Sequence, residues 1–124
     1  MGLDAYIFGI KENDVEDTNE VDVKFPEGYQ VDQVFYWRKH HDLHNWMENL
    51  YYSKGGSESI FNCVKVKLNE EDIDELEKVV LSKTLYTPTA PRNYEFFFEQ
   101  DAEFIVIARK ELKNNKAIYY DSWW

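Results

Sequence analysis

The residues best suited to chemistry lie together at positions 37–46. All three histidines of the chain fall within this segment, as His40, His41 and His44. Arg38 and Lys39 precede them and form a local basic patch in a chain whose net charge is −10. A guanidinium fork and an ammonium group are side chains that hold phosphates and carboxylates. The segment therefore predicts a site for a small anion.

Trp37 and Trp46 flank the basic patch, and their flat faces suit the stacking of a base or a sugar ring. The patch also falls where a strand is expected to give way to a helix, whose free N–H groups attract anions. We therefore expect a nucleotide-like anion held by Arg38 and Lys39. Trp37 would stack on its ring, and His44 would orient it. The alternative is a solvated basic turn that neutralises the acidic segment before it.

The histidines are also spaced for a metal ion, because His40 and His44 are four residues apart and share a helical face. No Glu completes an HExxH pattern, and Asp42 or Asp121 could serve as a further ligand only through a tertiary contact, so we expect no metal and no cofactor. His44 follows Leu43, which favours a partly buried, hydrogen-bonded histidine. Phosphate-binding loops and nucleophile elbows are absent from the sequence. Their absence favours a binding protein, and a small hydrolase or transferase that uses His44 and Arg38 is kept as an alternative.

The aromatic segment at positions 117–124 is a second candidate site. Tyr120, Ser122 and Trp124 alternate along one face of a predicted strand, where they could line a site or a contact between two copies of the chain. The competing interpretation is that Trp123 or Trp124 fills the core, because tryptophans left exposed at a fraying chain end are unfavourable.

Composition excludes several classes of protein. Five glycines and three prolines in 124 residues are too few for a collagen-like chain or a flexible linker. Four tryptophans, nine tyrosines and eight phenylalanines can fill a real core, which argues against disorder. The single Cys63 excludes a disulfide scaffold, and its apolar neighbours predict a small buried side chain.

The negative charge is concentrated, since positions 11–32 carry eight acidic residues and two lysines. A net charge of −10 argues against nucleic acid as a partner. It also supports an alternative function, an acidic interaction module that mimics the charge of DNA and binds a nucleic-acid-binding protein. No signal peptide or long apolar run is present, so we expect no membrane contact and a location in the cytoplasm.

Hydrophobic patterning predicts one α+β domain over 1–124, with about five mostly antiparallel strands and about three helices. The expected strands cover 3–10, 29–37, 60–68, 94–99 and 117–124. The expected helices cover 43–51, a segment after the cap Asn69 that extends to Val80, and 101–112 with Asp101 as its cap. Residues 104–107 would also fit a buried strand. An acidic loop or hairpin excursion is expected at 11–28.

Four motifs are distributed along the chain in a fixed order. They are Met1-Gly2-Leu3-Asp4-Ala5-Tyr6, Tyr36-Trp37-Arg38-Lys39 with Leu43-His44-Asn45-Trp46, Phe96-Phe97-Phe98, and Tyr119-Tyr120-Asp121-Ser122-Trp123. Together they resemble a family of small bacteriophage-encoded proteins. The chain departs from that pattern in its strongly acidic segment and in its extra Trp124.

The resemblance implies a non-enzymatic phage accessory protein that acts in the host cytoplasm. Such a protein would bind a small anionic ligand or a host factor, for example to counteract a host defence. The resemblance also implies that the central motif is a site, formed by Trp37, Arg38, Lys39, His44 and Trp46.

Overall fold

The helices and strands of the computed structural model, which describes residues 2–124, alternate irregularly along the chain. In chain order they are β1 (Asp4–Lys11), a 3-10 turn (Glu12–Asp14), β2 (Asp32–Arg38), α1 (His41–Ser53), β3 (Val66–Leu68), α2 (Glu70–Leu81), α3 (Pro91–Lys113) and β4 (Lys116–Trp123). Four strands form one antiparallel sheet in the order β2-β1-β4-β3. The predicted single α+β domain is confirmed, with four strands in place of five.

The strand expected at 94–99 is wrong, because these residues belong to the 23-residue helix α3. Pro91 opens this helix at a position where its missing N–H is harmless. Phe97, Asp101, Phe104 and Ala108 then recur at spacings of three and four and are all buried. Asp101 therefore lies inside the helix and does not cap it.

The strand expected at 60–68 is reduced to Val66–Leu68. Cys63 adopts a left-handed φ of 59°, which breaks the extended run, and its side chain is exposed where we predicted a buried one. Within the short strand, Val66 and Leu68 are buried and Lys67 is half-buried, so its side chains alternate between the two faces of the sheet.

Side chains cap the first two helices, and the cap of α2 is the predicted Asn69. The Asn69 side chain accepts from the backbone N–H of Asp72, and Asp72 accepts from the N–H of Asn69, so α2 begins with a complete capping box. His40 caps α1 by accepting from the backbone N–H of Leu43. No helix within the described residues has the length and apolar character needed to cross a membrane.

The two faces of the sheet are covered differently. On one face, the main core contains side chains of β1 and β4 and side chains from all three helices. The strands contribute Ala5, Ile7, Ile118 and Tyr120. On the other face, part of the acidic excursion at 11–28 covers Tyr119, to which Phe25 makes an edge-on contact with ring centroids 5.0 Å apart. The rest of this second face, at the start of β1 and the ends of β2 and β4, is open.

Candidate functional site

Two of the predicted cationic residues lie at the turn from β2 to α1. Arg38 ends β2, and Lys39 takes a left-handed φ of 59° that redirects the chain towards the helix. The backbone N–H of Lys39 donates to the carbonyl of Leu3 at 2.7 Å, which ties this turn to the start of the sheet. Both side chains are exposed. The turn therefore presents two positive charges to solvent on a fixed backbone.

A third cation from α3 joins them. Arg92 lies in the first turn of α3 and, with Arg38 and Lys39, lines a groove of about 550 Å³. We call this the basic groove, and its other walls include Tyr36, Phe96 and Phe97. Phe96 is 68% exposed and Tyr36 is 40% exposed, so the groove offers aromatic surface beside its charges.

Within the described part of the chain, many cations form ion pairs, but the cations of the basic groove do not. Six basic side chains pair with carboxylates, namely Lys54, Lys65, Lys67, Lys78, Arg109 and Lys116. Among residues 2–124, no acidic side chain forms a salt bridge with Arg38, Lys39 or Arg92. Other lysines are also unpaired, but three unpaired cations converge here, which makes the groove locally positive.

A buried carboxylate holds the elements that form the groove. Asp101 on α3 is 1% exposed and accepts from Trp37 Nε1 at 3.0 Å. It also accepts from His40 Nε2 at 2.8 Å and from Tyr86 Oη at 2.5 Å. Since Arg38 and Lys39 lie between Trp37 and His40, this one carboxylate fixes the cationic turn against α3. Burial, and then the hydrogen bond to Asp101, raise the pKa of Tyr86, so its phenol stays protonated.

The stacking face that we expected on Trp37 is not available to a ligand. Its indole is 1% exposed and packs edge-on against Phe104, with ring centroids 4.9 Å apart. The ring turns inward because its N–H finds its acceptor, Asp101, in the core. Trp46 is half-buried against the core and does not line the basic groove.

His44 is the partly buried, hydrogen-bonded histidine that its neighbours predicted. It is 8% exposed, and its Nδ1 lies 2.8 Å from Tyr120 Oη. Burial lowers the pKa of His44 to about 4, so the ring is neutral at pH 7. Tyr120 and Ser122 are 0% and 2% exposed, which places both out of reach of a ligand. His44 lines a separate cleft of about 320 Å³ that Arg38 does not share.

The two final tryptophans do not fill the core as one interpretation expected. Trp123 is 64% exposed and Trp124 is 45% exposed, whereas the aromatic residues Tyr119 and Tyr120 of β4 are buried. Trp124 is nevertheless held in place, because its Nε1 donates to the carbonyl of Phe61 at 2.8 Å. The described residues contain no cluster of three His, Cys, Asp or Glu side chains that could hold a metal ion.

Arg92 and Phe96 are not among the predicted site residues, because Arg92 falls outside every predicted helix and strand and Phe96 falls in the strand expected at 94–99. The available signal was helical spacing, since Arg92, Phe96 and Gln100 follow at intervals of four and all line the basic groove. The chemistry that this set of side chains offers is the binding of an anion with an attached ring. No protein-family model, curated protein or solved structure matches the chain.

Proposed function

We propose that this protein binds a small phosphate-bearing ligand in the basic groove and acts by binding rather than by catalysis. The convergence of Arg38, Lys39 and Arg92 on one groove, in a chain of net charge −10, is the observation that carries this proposal. Guanidinium forks match the geometry of phosphate oxygens, and an ammonium group adds a mobile point charge.

Local charge outweighs the net charge at this position. Interactions between exposed charges are screened over about 8–10 Å at physiological ionic strength, so distant carboxylates contribute little to the potential in the groove. The N-terminus of α3 directs the positive end of its helix dipole here, and its own first turn has no acidic residue, although the Asp42 carboxylate of α1 accepts from Asn93 Nδ2 in that turn at 3.1 Å. A phosphate group would therefore meet three cations and a favourable helix dipole.

The acidic segment supports the alternative function less well. Several of its carboxylates are engaged within the molecule: Asp22 accepts from Tyr51 Oη at 2.7 Å, and Asp17 accepts from the backbone N–H groups of Asn19 and Lys24. These backbone hydrogen bonds also lower the pKa of Asp17. A surface that mimics DNA would keep such charges free for a basic partner.

The resemblance to small phage proteins suggests where such a binding activity would act, namely in a bacterial host cell. A phage accessory protein that binds stoichiometrically can remove a small ligand from the host cell or occupy a host factor, for example to counteract a host defence. A phosphate-binding groove fits the first of these actions, because a small phosphorylated molecule is within its size and charge.

Isothermal titration with inorganic pyrophosphate tests the proposal at low and at physiological salt. We expect the wild-type protein to bind, and Arg38→Glu and Arg92→Glu each to weaken binding at least about tenfold. Lys110→Glu is the matched control, since it makes the same charge change at an exposed position at the other end of α3. Far-UV circular dichroism verifies that each variant is folded. Equal affinities for Arg92→Glu and Lys110→Glu, or no binding by the wild type, would overturn the proposal.

A further inference from the structure

We propose that a second cleft beside the basic groove receives the ring of the ligand, and that Asp4 selects a nucleobase that carries an amino group. This inference rests on the proposed function and names its ligand class, an adenine, cytosine or guanine nucleotide. The cleft measures about 600 Å³ and is lined by Gly2, Asp4, Tyr36, Arg38, Trp123 and Trp124. We call it the aromatic cleft.

The aromatic cleft and the basic groove are neighbours. Tyr36 and Arg38 line both of them, so the Arg38 side chain stands at their boundary. A molecule with its phosphates against Arg38, Lys39 and Arg92 can therefore extend its other end into the aromatic cleft. Each cleft is within the usual size range of small-molecule sites.

Strand register brings a carboxylate and a guanidinium to the same cleft. Asp4 on β1 lies opposite Arg38 on β2 and opposite Trp123 on β4. Opposite charges placed directly across an antiparallel ladder commonly pair. Within residues 2–124, however, Arg38 and Asp4 form no salt bridge, although both line the cleft. Each charge is left for a group of the ligand.

Asp4 keeps most of its capacity to accept hydrogen bonds. In the described part of the chain its only side-chain donor is Tyr36 Oη, which bonds to Oδ1 and orients the carboxylate. Oδ2 remains for an incoming donor, because a carboxylate offers about four acceptor positions. An exocyclic amine of adenine, cytosine or guanine is such a donor. Uracil presents one ring N–H between two carbonyl oxygens. The carboxylate of Asp4 repels these two oxygens, because they are acceptors as well.

Trp124 provides a fixed flat surface for the base. Its indole N–H donates to the carbonyl of Phe61, its backbone N–H donates to Asn62 Oδ1 at 3.1 Å, and its carbonyl accepts from Asn62 Nδ2 at 2.9 Å. The side chain is still 45% exposed, and Trp123 beside it is 64% exposed. A stacking surface that is already ordered loses little entropy when the base binds.

The test compares cytidine 5′-diphosphate with uridine 5′-diphosphate, because the two bases differ only at position 4, which carries an amine or a carbonyl, and at position 3, which is an acceptor nitrogen in cytosine and an N–H in uracil. Inorganic pyrophosphate reports on the basic groove alone. We expect the wild-type protein to bind the cytidine nucleotide about tenfold more tightly than the uridine nucleotide. Asp4→Asn should remove this preference, since an amide can donate as well as accept. Asp74→Asn, the same change at an exposed position of α2, is the control.

Tryptophan variants test the stacking surface. We expect Trp124→Ala to weaken binding of both nucleotides about tenfold while the affinity for pyrophosphate stays unchanged. Trp123→Ala is the second variant, because this side chain is more exposed and makes no hydrogen bond among the described residues. Pyrophosphate binding that depends on Arg92, without a cytidine preference and without an effect of either tryptophan, would overturn this inference and leave the proposed function standing. No binding of pyrophosphate or nucleotide would overturn both.

Discussion

Replacing Asp101 tests most directly how the basic groove is supported. Its buried carboxylate accepts hydrogen bonds from Trp37 on β2, from His40 at the start of α1 and from Tyr86 in the loop before α3. Asp101→Ala removes the shared acceptor and leaves three buried donors without a partner. We expect the folded state to lose a large part of its stability, because the three elements lose their common anchor.

The magnitude follows from the number of donors. A buried donor left unpaired costs about 1–3 kcal/mol, so three of them set a range of about 3–9 kcal/mol. Part of this loss is recovered, because the variant no longer buries a carboxylate and water can reach the relaxed loop. We therefore expect a destabilisation of about 3–5 kcal/mol, in the lower half of the range that three unpaired buried donors set. Domains commonly have only about 5–15 kcal/mol of stability in total.

Urea unfolding, followed by tryptophan fluorescence and far-UV circular dichroism, measures this loss. Asp74→Ala is the matched control, because Asp74 pairs with Arg109 Nη1 at 2.8 Å on the surface. Exposed pairs contribute at most about 1 kcal/mol, so this variant should unfold almost as the wild type does. Tyr86→Phe removes one of the three donors and should lose about 1 kcal/mol. A loss below about 1 kcal/mol for Asp101→Ala would refute the reasoning.

Two further predictions concern His44 and Gly56. Because burial lowers the pKa of His44 from 6.5 to about 4, the unfolded chain binds a proton between these pH values that the folded protein does not. The free energy of unfolding should therefore fall by about 3 kcal/mol for this group as the pH drops from 6.5 to 4. Urea unfolding at several pH values should show a smaller fall for His44→Gln than for the wild type. Parallel pH profiles for the two proteins would contradict this. A Cβ at Gly56 would overlap the buried ring of Tyr51, so Gly56→Ala should lose about 1–3 kcal/mol in the same assay. An unchanged unfolding midpoint would show that the ring moves aside freely.

The fold elements with strong local signals could be predicted from the sequence. Helix α2 has a capping box at Asn69 and buried Ile73, Leu76 and Val80 at helical spacing, so local chemistry alone specifies its start and its inward face. In residues 94–99, the local preference of the side chains and the observed element disagree. Their aromatic side chains favour a strand, and a helix wins because α3 can bury Phe97 against His40, with the rings 3.9 Å apart and nearly parallel.

The candidate site could also be predicted only in part from the sequence. Arg38 and Lys39 are neighbours in the sequence, so their joint charge is evident from the order of the residues alone. Arg92 belongs to a distant segment, and only the packing of α3 against the turn after β2 brings it into the same groove. The outward prediction for Trp37 failed for a related reason, since its inward orientation depends on a carboxylate on α3.

The sequence by itself determined the acidic net charge, the α+β class, the capped helix α2, the strand character of β1 and β4 and the basic pair Arg38–Lys39. These properties depend on composition or on residues a few positions apart, which interact through the local geometry of a helix or a strand. Tertiary structure alone decided that Arg92 completes the basic groove, that Trp37 is buried and that Asp4 and Arg38 face one cleft without pairing. Those outcomes depend on contacts between distant segments, where burial and hydrogen-bond satisfaction outweigh local preference.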